Sequence, residues 1–233
     1  MTPNAFRCYP MSGLIVLMGG NEFRPECEAM DRSVLDRIGI NPRVVILPTA
    51  AAHENPELAA ENGVRHFSRL GARAEAAMVV DSATARERKW LGLIQNADLI
   101  YLAGGDPAHL LVTLRHSATW EAALEVWKGG RTLAGSSAGA MVLGGQMWTP
   151  GKGWQEGLGL LPRLAIIPHH ARLANVWNAR SMFSSLAKGV TLIGIDEVTA
   201  LLGPPWEVIG PGKIAVYKSD SPELFTQGRS VEL

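Results

Sequence analysis

The sequence predicts an α/β fold, a mostly parallel central sheet flanked by helices on both faces. Near-continuous apolar runs of strand length alternate with longer amphipathic stretches, the pattern of strands buried on both sides and joined through helices. Several of these runs end on small or polar residues, at the sheet edge where open α/β folds bind ligands. One of them leads into Gly135-Ser136-Ser137-Ala138-Gly139, a serine among small residues between an apolar run and a stretch with helical potential. That is the setting of a nucleophile elbow, whose tight turn lifts a hydroxyl out of the sheet and leaves no room for side chains beside it.

The elements read in order as follows. Residues 14–18 form a buried strand ended by Gly19-Gly20, and residues 44–47 form a second, ended by Pro48-Thr49. Residues 76–80 make a weaker third strand, residues 99–102 a fourth ended by Gly104-Gly105, and residues 131–134 a fifth before Ser137. Helical patterns lie between them near 26–38, 56–70, 84–96 and 107–127. Beyond Pro150 a glycine-rich stretch, 151–160, reads as a loop. Residues 164–168 form a short strand leading to His169-His170, followed by a helix over about 172–186. Short strands follow at 192–195, 200–202, 206–209 and 214–217, with Gly210-Pro211-Gly212 as the turn between the last two. The sequence contains neither repeat nor low-complexity tract, so one α/β hydrolytic domain over 1–233 is expected.

Charge and cysteine usage exclude several classes of function. The 22 basic and 22 acidic residues cancel, and the basic ones form no stripe, so neither nucleic acid nor an anionic membrane is an expected partner. Cys8 and Cys27 make no disulfide framework and no zinc site, which points to a reducing, cytoplasmic setting and no metal. Residues 1–11 lack the apolar core of a signal peptide, and no apolar run approaches the roughly 18 residues of a membrane span.

A serine hydroxyl needs a base to take its proton. Of the six histidines, His66, His109 and His116 fall in helical stretches, and His53 is most simply a loop residue, though it follows a strand end. The pair His169-His170 follows a strand and Pro168 at the edge where Ser137 belongs; one of the two should face the cleft and the other turn away or line the rim. Asp196-Glu197, directly after the strand 192–195, offers an acid to orient the base. The order serine, histidine, acid differs from that of α/β-hydrolases. An oxyanion hole requires two preorganised N–H donors. The amide of Ala138 supplies one by elbow geometry, and Gly104-Gly105 is the best source of the other.

These residues carry a resemblance. Leu47-Pro48-Thr49-Ala50, Ala103-Gly104-Gly105-Asp106, Ala134-Gly135-Ser136-Ser137-Ala138-Gly139-Ala140, Pro168-His169-His170 and Gly194-Ile195-Asp196-Glu197-Val198-Thr199-Ala200 occur in an order that resembles the serine peptidases that include peptidase E (aspartyl dipeptidase) and cyanophycinase. The resemblance runs from about Val16 to Ala200. It implies a class I glutamine amidotransferase-like fold and a Ser-His-Glu triad of Ser137, His169 and Glu197, with Gly105 beside Ala138 in the oxyanion hole. His170 stands where the family has phenylalanine, Pro107 where cyanophycinases have glutamine, and Ile167-Pro168 where they have an acid and a glutamine. Arg172 and Arg180 are what remains of an arginine-rich segment that grips acidic substrate; with Asp106 and His170 they complete the expected substrate contacts.

The expectation is therefore a serine peptidase that hydrolyses small peptides, aspartyl ones among them, through an acyl-enzyme, with no metal or cofactor. An amidase or esterase on the same scaffold and a non-catalytic small-molecule-binding protein are the alternatives. A homodimer is compatible with the sequence, and Trp148, Trp154 and Trp177 could line a pocket, although core packing is the simpler role for each.

Overall fold

The computed structural model describes residues 12–176, 178–218 and 221–233; Cys8 and Trp177 lie outside the described residues. The first half of the chain alternates strand and helix. β1 (Ile15–Met18), β2 (Arg43–Leu47), β3 (Arg73–Ala76), β4 (Leu99–Leu102) and β5 (Thr132–Ser136) are separated by α1 (Glu28–Ile38), α2 (Pro56–Arg69), α3 (Arg88–Gln95), α4 (Pro107–Leu114) and α5 (Ala118–Lys128). After β5 come α6 (Ala138–Leu143), β6 (Gly144–Thr149), β7 (Gly153–Glu156), β8 (Leu161–Ile167), α7 (His170–Val176) and α8 (Ala179–Ser184). The chain ends with β9 (Thr191–Ile195), β10 (Ala200–Gly203), β11 (Trp206–Ile209), β12 (Ile214–Tyr217), β13 (Glu223–Phe225) and β14 (Ser230–Val231).

The central sheet is eight-stranded, in the order β14-β11-β10-β1-β5-β4-β2-β3. β1, β5, β4, β2 and β3 run parallel, and β10, β11 and β14 extend that sheet antiparallel from β1. Alternate residues of each strand point to opposite faces. Val16, Met18, Ile46 and Tyr101 pack with Met30 and Val34 of α1 and Phe67 of α2. On the other face Leu17, Leu47, Ile100 and Leu102 pack with Ile94, Leu110, Trp120 and Met141 from α3 to α6. Burying each such side chain contributes about 1.5–3 kcal/mol, which is why the parallel strands read as unbroken apolar runs.

A second, six-stranded sheet, β13-β12-β9-β8-β6-β7, covers the α6 side of the first. Ile193, Ile195, Ile214 and Val216 share the buried cluster of Leu17 and Leu102, while Ile167, Leu192 and Tyr217 on its other face meet Ala179 and Met182 of α8. Two of its pairings, β6 with β8 and β8 with β9, are parallel.

Several element boundaries differ from expectation. The third strand is Arg73–Ala76 rather than 76–80. It is the edge of the sheet with β2 as its neighbour, so alternating polar residues suffice, whereas Ala77 and Val79 are buried without being strand. The pattern 107–127 divides into α4 and α5 at His116, whose φ is 59°, and Ser117 caps α5 by accepting the Trp120 amide at 3.1 Å. The helix over 84–96 opens as a single 3₁₀ turn, Thr84–Arg86, before α3, and that over 172–186 divides into α7 and α8, the latter capped by Asn178. Within the expected loop 151–160, Gly153–Glu156 pairs antiparallel with β6. Trp148 and Trp154 face each other across that hairpin with ring centroids 5.4 Å apart, and the Trp154 indole N–H donates to the Met182 carbonyl at 3.2 Å. The turn at Gly210-Pro211-Gly212 passes from one sheet to the other instead of closing a hairpin. Among the described residues no helix is long and apolar enough to cross a membrane, and no group of three or more His, Cys, Asp or Glu side chains is placed to hold a metal.

Candidate active site

The carboxyl ends of β1, β5 and β4 lie side by side, and the ends of β8 and β9 approach them from the second sheet. Register pairs Met18 with Ser136 and Leu102 with Gly135, so the turns after the three central strands share one edge. Ser137 follows β5 with φ 49° and ψ −111°, a conformation that costs a non-glycine residue of order 1–3 kcal/mol. Its amide donates to the Met18 carbonyl at 3.0 Å, so the N–H that opens α6 belongs to Ala138. As the first helical residue, Ala138 has no carbonyl one turn back within the helix to accept from it.

His169 ends the turn after β8 and also has a φ of 49°. Its amide donates to the Gly19 carbonyl at 2.8 Å, which ties the second sheet to the β1 turn. Gly20 makes room for the ring: a Cβ there would lie 2.2 Å from His169 Cε1. Nε2 of His169 is 3.0 Å from Ser137 Oγ, and Nδ1 is 2.6 Å from Glu197 Oε1. The three side chains thus form a continuous hydrogen-bonded chain able to move a proton off the hydroxyl. Gly105, after β4, has φ 137°, and a Cβ there would fall 2.2 Å from the Ala50 carbonyl oxygen. Among the described residues, no hydrogen bond takes up the Gly105 amide.

Both ambiguous pairs resolve. His170 turns into the second sheet, where Nε2 meets the Tyr217 hydroxyl at 2.8 Å and Nδ1 lies 3.6 Å from Asp196 Oδ1. Gly194 admits this ring, since a Cβ there would be 2.1 Å from His170 Cδ2. Burial pushes the His170 pKa down, with Asp196 pulling the other way. Asp196 accepts the Lys213 amide at 2.9 Å through Oδ2. Its neighbour Glu197 is the acid at the imidazole.

The remaining expected substrate contacts lie elsewhere. Asp106 caps α4, its Oδ1 accepting the amides of Ala108 at 2.8 Å and His109 at 3.1 Å, and is not among the cleft-lining residues. Arg172, on α7, has its guanidinium 3.4 Å from Glu197 Oε1. Arg180 sits on α8, where its charge lowers the Tyr217 hydroxyl pKa against the upward push of burial, and does not line the cleft. His170 likewise lies outside it. His53 meets His109 edge to face, with ring centroids 4.4 Å apart.

The cleft, about 730 Å³, opens over Ser137, His169, Gly104 and Gly105. Its far wall is the start of α2, with Asn55, Leu58 and Asn62, and its near wall is the β1 turn, with Asn21, Glu22, Phe23 and Arg24. That turn escaped the sequence reading, although an acid two residues past a strand-ending Gly-Gly was a signal available for it. Glu22 Oε1 accepts the Gly104 amide at 2.7 Å, and Oε2 accepts the Ser136 hydroxyl at 2.8 Å. Phe23 packs on Tyr101 and His66 at centroid distances of 5.1 and 6.0 Å. Beneath it Tyr101 donates to Met18 Sδ at 3.2 Å, and burial holds its hydroxyl pKa well above the usual value. Burial also pushes the Cys27 thiol up to about 12.

A serine, an imidazole and a carboxylate in line at a strand-to-helix turn are the working parts of acyl transfer. The family model of peptidase family S51 matches residues 14–203, which includes all three. The chain belongs to peptidase family S51. It is a serine-type peptidase. A crystal structure of a peptidase from an acI-B1 Actinobacterium is similar along almost the whole length of this S51 peptidase, with 32% identity, 96% of this chain and 98% of that chain covered, and a TM-score of 0.86. A candidate peptidase E protein from Listeria monocytogenes EGD-e shares the fold at 17% identity, covering 85% of this chain and 97% of that chain with a TM-score of 0.63. Among curated proteins, none matches the chain.

Proposed function

We propose that this S51 peptidase hydrolyses small peptides through an acyl-enzyme on a Ser137-His169-Glu197 triad. The carrying observation is the hydrogen-bonded line from Ser137 Oγ through His169 to Glu197, at 3.0 and 2.6 Å. Ser137 Oγ attacks the scissile carbonyl as its proton passes to His169 Nε2. Glu197 accepts from Nδ1–H, holding the tautomer and stabilising the imidazolium. The amides of Gly105 and Ala138 take the oxyanion. Collapse of the tetrahedral intermediate breaks the C–N bond, and His169 returns the proton to the leaving amine. Water, deprotonated by the same imidazole, then attacks the ester and frees Ser137.

The cleft volume lies in the ordinary range for small ligands, about 300–1,000 Å³, which favours a short peptide. The cleft lining carries Arg24 beside the acids Glu22 and Glu54, and Glu22 is taken up by Gly104 and Ser136, so Arg24 rather than Arg172 or Arg180 is the cation offered to a substrate carboxylate. An aspartyl dipeptide is the substrate that this arrangement favours. The test compares wild type with Ser137→Ala on Asp-X dipeptides, β-linked Asp-Arg polymer and neutral dipeptides, read by mass spectrometry. Cleavage of an aspartyl substrate that vanishes in the variant supports both nucleophile and substrate class. Cleavage that survives Ser137→Ala overturns the mechanism, and cleavage confined to neutral dipeptides overturns the substrate class.

A further inference from the structure

We infer that Glu22 is a positioning residue for the hydrolysis: its carboxylate clamps the strand end bearing the nucleophile to the strand end bearing the second oxyanion donor. The inference rests on the roles proposed above for Ser137 and Gly105. One oxygen of Glu22 accepts the Gly104 amide at 2.7 Å, and the other accepts the Ser136 hydroxyl at 2.8 Å. Ser136 is fully buried as the last residue of β5, directly before Ser137, and Gly104 directly precedes Gly105. One side chain therefore ties together the two residues that directly precede the halves of the reaction centre, Ser136 through its hydroxyl and Gly104 through its amide.

The approach is close enough to depend on glycine. A Cβ on Gly104 would lie 2.6 Å from Glu22 Oε1 and 3.2 Å from Ser137 Cβ, so any larger residue would drive the clamp and the nucleophile apart. The turn that presents Glu22 is costly to build. Gly20 takes its φ of 115° freely, but Asn21 and Phe23 also have positive φ, at 63° and 64°, and the strain at a bulky residue such as Phe23 persists only where its surroundings over-determine it. Here they do: Val198 donates to the Gly20 carbonyl at 3.2 Å and the Cys27 thiol to the Asn21 carbonyl at 3.1 Å. A solvated acid on a strand-ending turn would require none of this. The clamp acts on chemistry more than on binding, because the amides aimed at the developing oxyanion earn their effect through placement in advance.

The experiment measures phosphonylation of Ser137 by an alkyl fluorophosphonate, with the maximal rate and half-saturating concentration resolved separately. It compares wild type, Glu22→Ala, Glu22→Gln, Ser136→Ala and Ser137→Ala below their unfolding transitions. Glu22→Ala, which releases both arms, should lower the maximal rate by about 100-fold, the usual scale for one misplaced oxyanion donor, with half-saturation little changed. Glu22→Gln can still accept from Gly104 and donate to Ser136, so it should stay within about 5-fold of wild type. Ser136→Ala loses one arm and should fall between, and it carries the test if Glu22→Ala does not fold. A wild-type maximal rate in Glu22→Ala, or in Ser136→Ala where that variant must serve, overturns the clamp. So does an equal loss in Glu22→Gln and Glu22→Ala, which would make the negative charge the active element. Labelling that persists in Ser137→Ala sinks the nucleophile assignment instead, so the two failures are distinguishable.

Discussion

Ser137 and His169 share a positive φ as well as a hydrogen bond. Each has φ 49°, and Oγ of one lies 3.0 Å from Nε2 of the other across 32 residues of chain. Neither residue tolerates that region cheaply, since the Cβ of an L-residue crowds the adjacent carbonyl. The turns on which the two side chains meet are thus strained on both sides, one closing the β5–α6 junction and the other the β8–α7 junction.

Relieving the strain should separate stability from activity. Ser137→Gly and Ser137→Ala both remove the hydroxyl and should both abolish peptide hydrolysis. Alanine keeps the steric conflict, whereas glycine releases about 1–2 kcal/mol of it, offset by its larger unfolded-state entropy of roughly 0.5–1 kcal/mol. Ser137→Gly should therefore melt above Ser137→Ala by about 2–4 °C per net kcal/mol for a chain of this size. Calorimetry of the two variants decides it, and a lower melting temperature for the glycine form would mean that the turn is not strained.

The adjacent acids Asp196 and Glu197 should behave as opposites. Glu197 Oε1 lies 2.6 Å from His169 Nδ1, so Glu197→Gln leaves the shape but offers the imidazole the wrong partner. A loss of about 10³- to 10⁴-fold in kcat is expected by analogy with other triads. Asp196 instead accepts the Lys213 amide at 2.9 Å, outside the proposed catalytic line. Asp196→Asn should leave kcat within about 3-fold and cost roughly 1 kcal/mol of stability for a weakened buried hydrogen bond. Steady-state kinetics beside denaturant unfolding would expose a reversed assignment at once.

How much of this was legible in the sequence follows from the range of the forces involved. Strands β1, β2, β4 and β5 are buried on both faces, so their apolar runs marked them; β3 is an edge strand with Arg73 and Glu75 exposed, and its pattern carried little signal. The elbow at Ser137 was visible because its turn excludes side chains locally. Neither His169 over His170 nor Glu197 over Asp196 follows from the residues as such, because adjacent side chains at a strand end differ in which sheet they face. That choice is made by Gly20 and Gly194, whose missing Cβ atoms admit the two imidazoles, and both contacts are remote in sequence. The capping role of Asp106 is local by contrast: Pro107, the next residue, opens the helix, and the resemblance rather than that signal made Asp106 an expected substrate contact.

Gly105 and Gly39 make a matched pair for testing the proposed oxyanion hole. Both have φ near that of the other, 137° and 133°, but a Cβ on Gly105 would strike the Ala50 carbonyl at 2.2 Å, whereas one on Gly39 meets nothing within 4 Å. Gly39→Ala should cost about 1 kcal/mol of stability and leave turnover alone. Gly105→Ala must shift the β4 turn, and with it the donor, so kcat should fall by about 10²- to 10³-fold. Equal activities in the two variants would remove Gly105 from the reaction.

His170 makes the stability of this S51 peptidase pH-dependent in a predictable direction. Burial lowers its pKa from 6.5, Asp196 opposing, and the ring is tied to the Tyr217 hydroxyl at 2.8 Å. Between the depressed folded value and 6.5 the unfolded chain binds more protons than the native one, so stability rises with pH across that window. The contribution is complete above 6.5 and is lost as pH falls through the folded value. His170→Asn should cost about 1–2 kcal/mol at pH 7 through the lost hydrogen bond, and that deficit should shrink as the pH is lowered, because the variant has no ring to protonate. Urea unfolding of both proteins at several pH values between about 4.5 and 7.5, spanning the usual histidine range, measures the gap. A gap that stays constant would mean that the buried ring protonates as easily in the folded protein as in the unfolded chain.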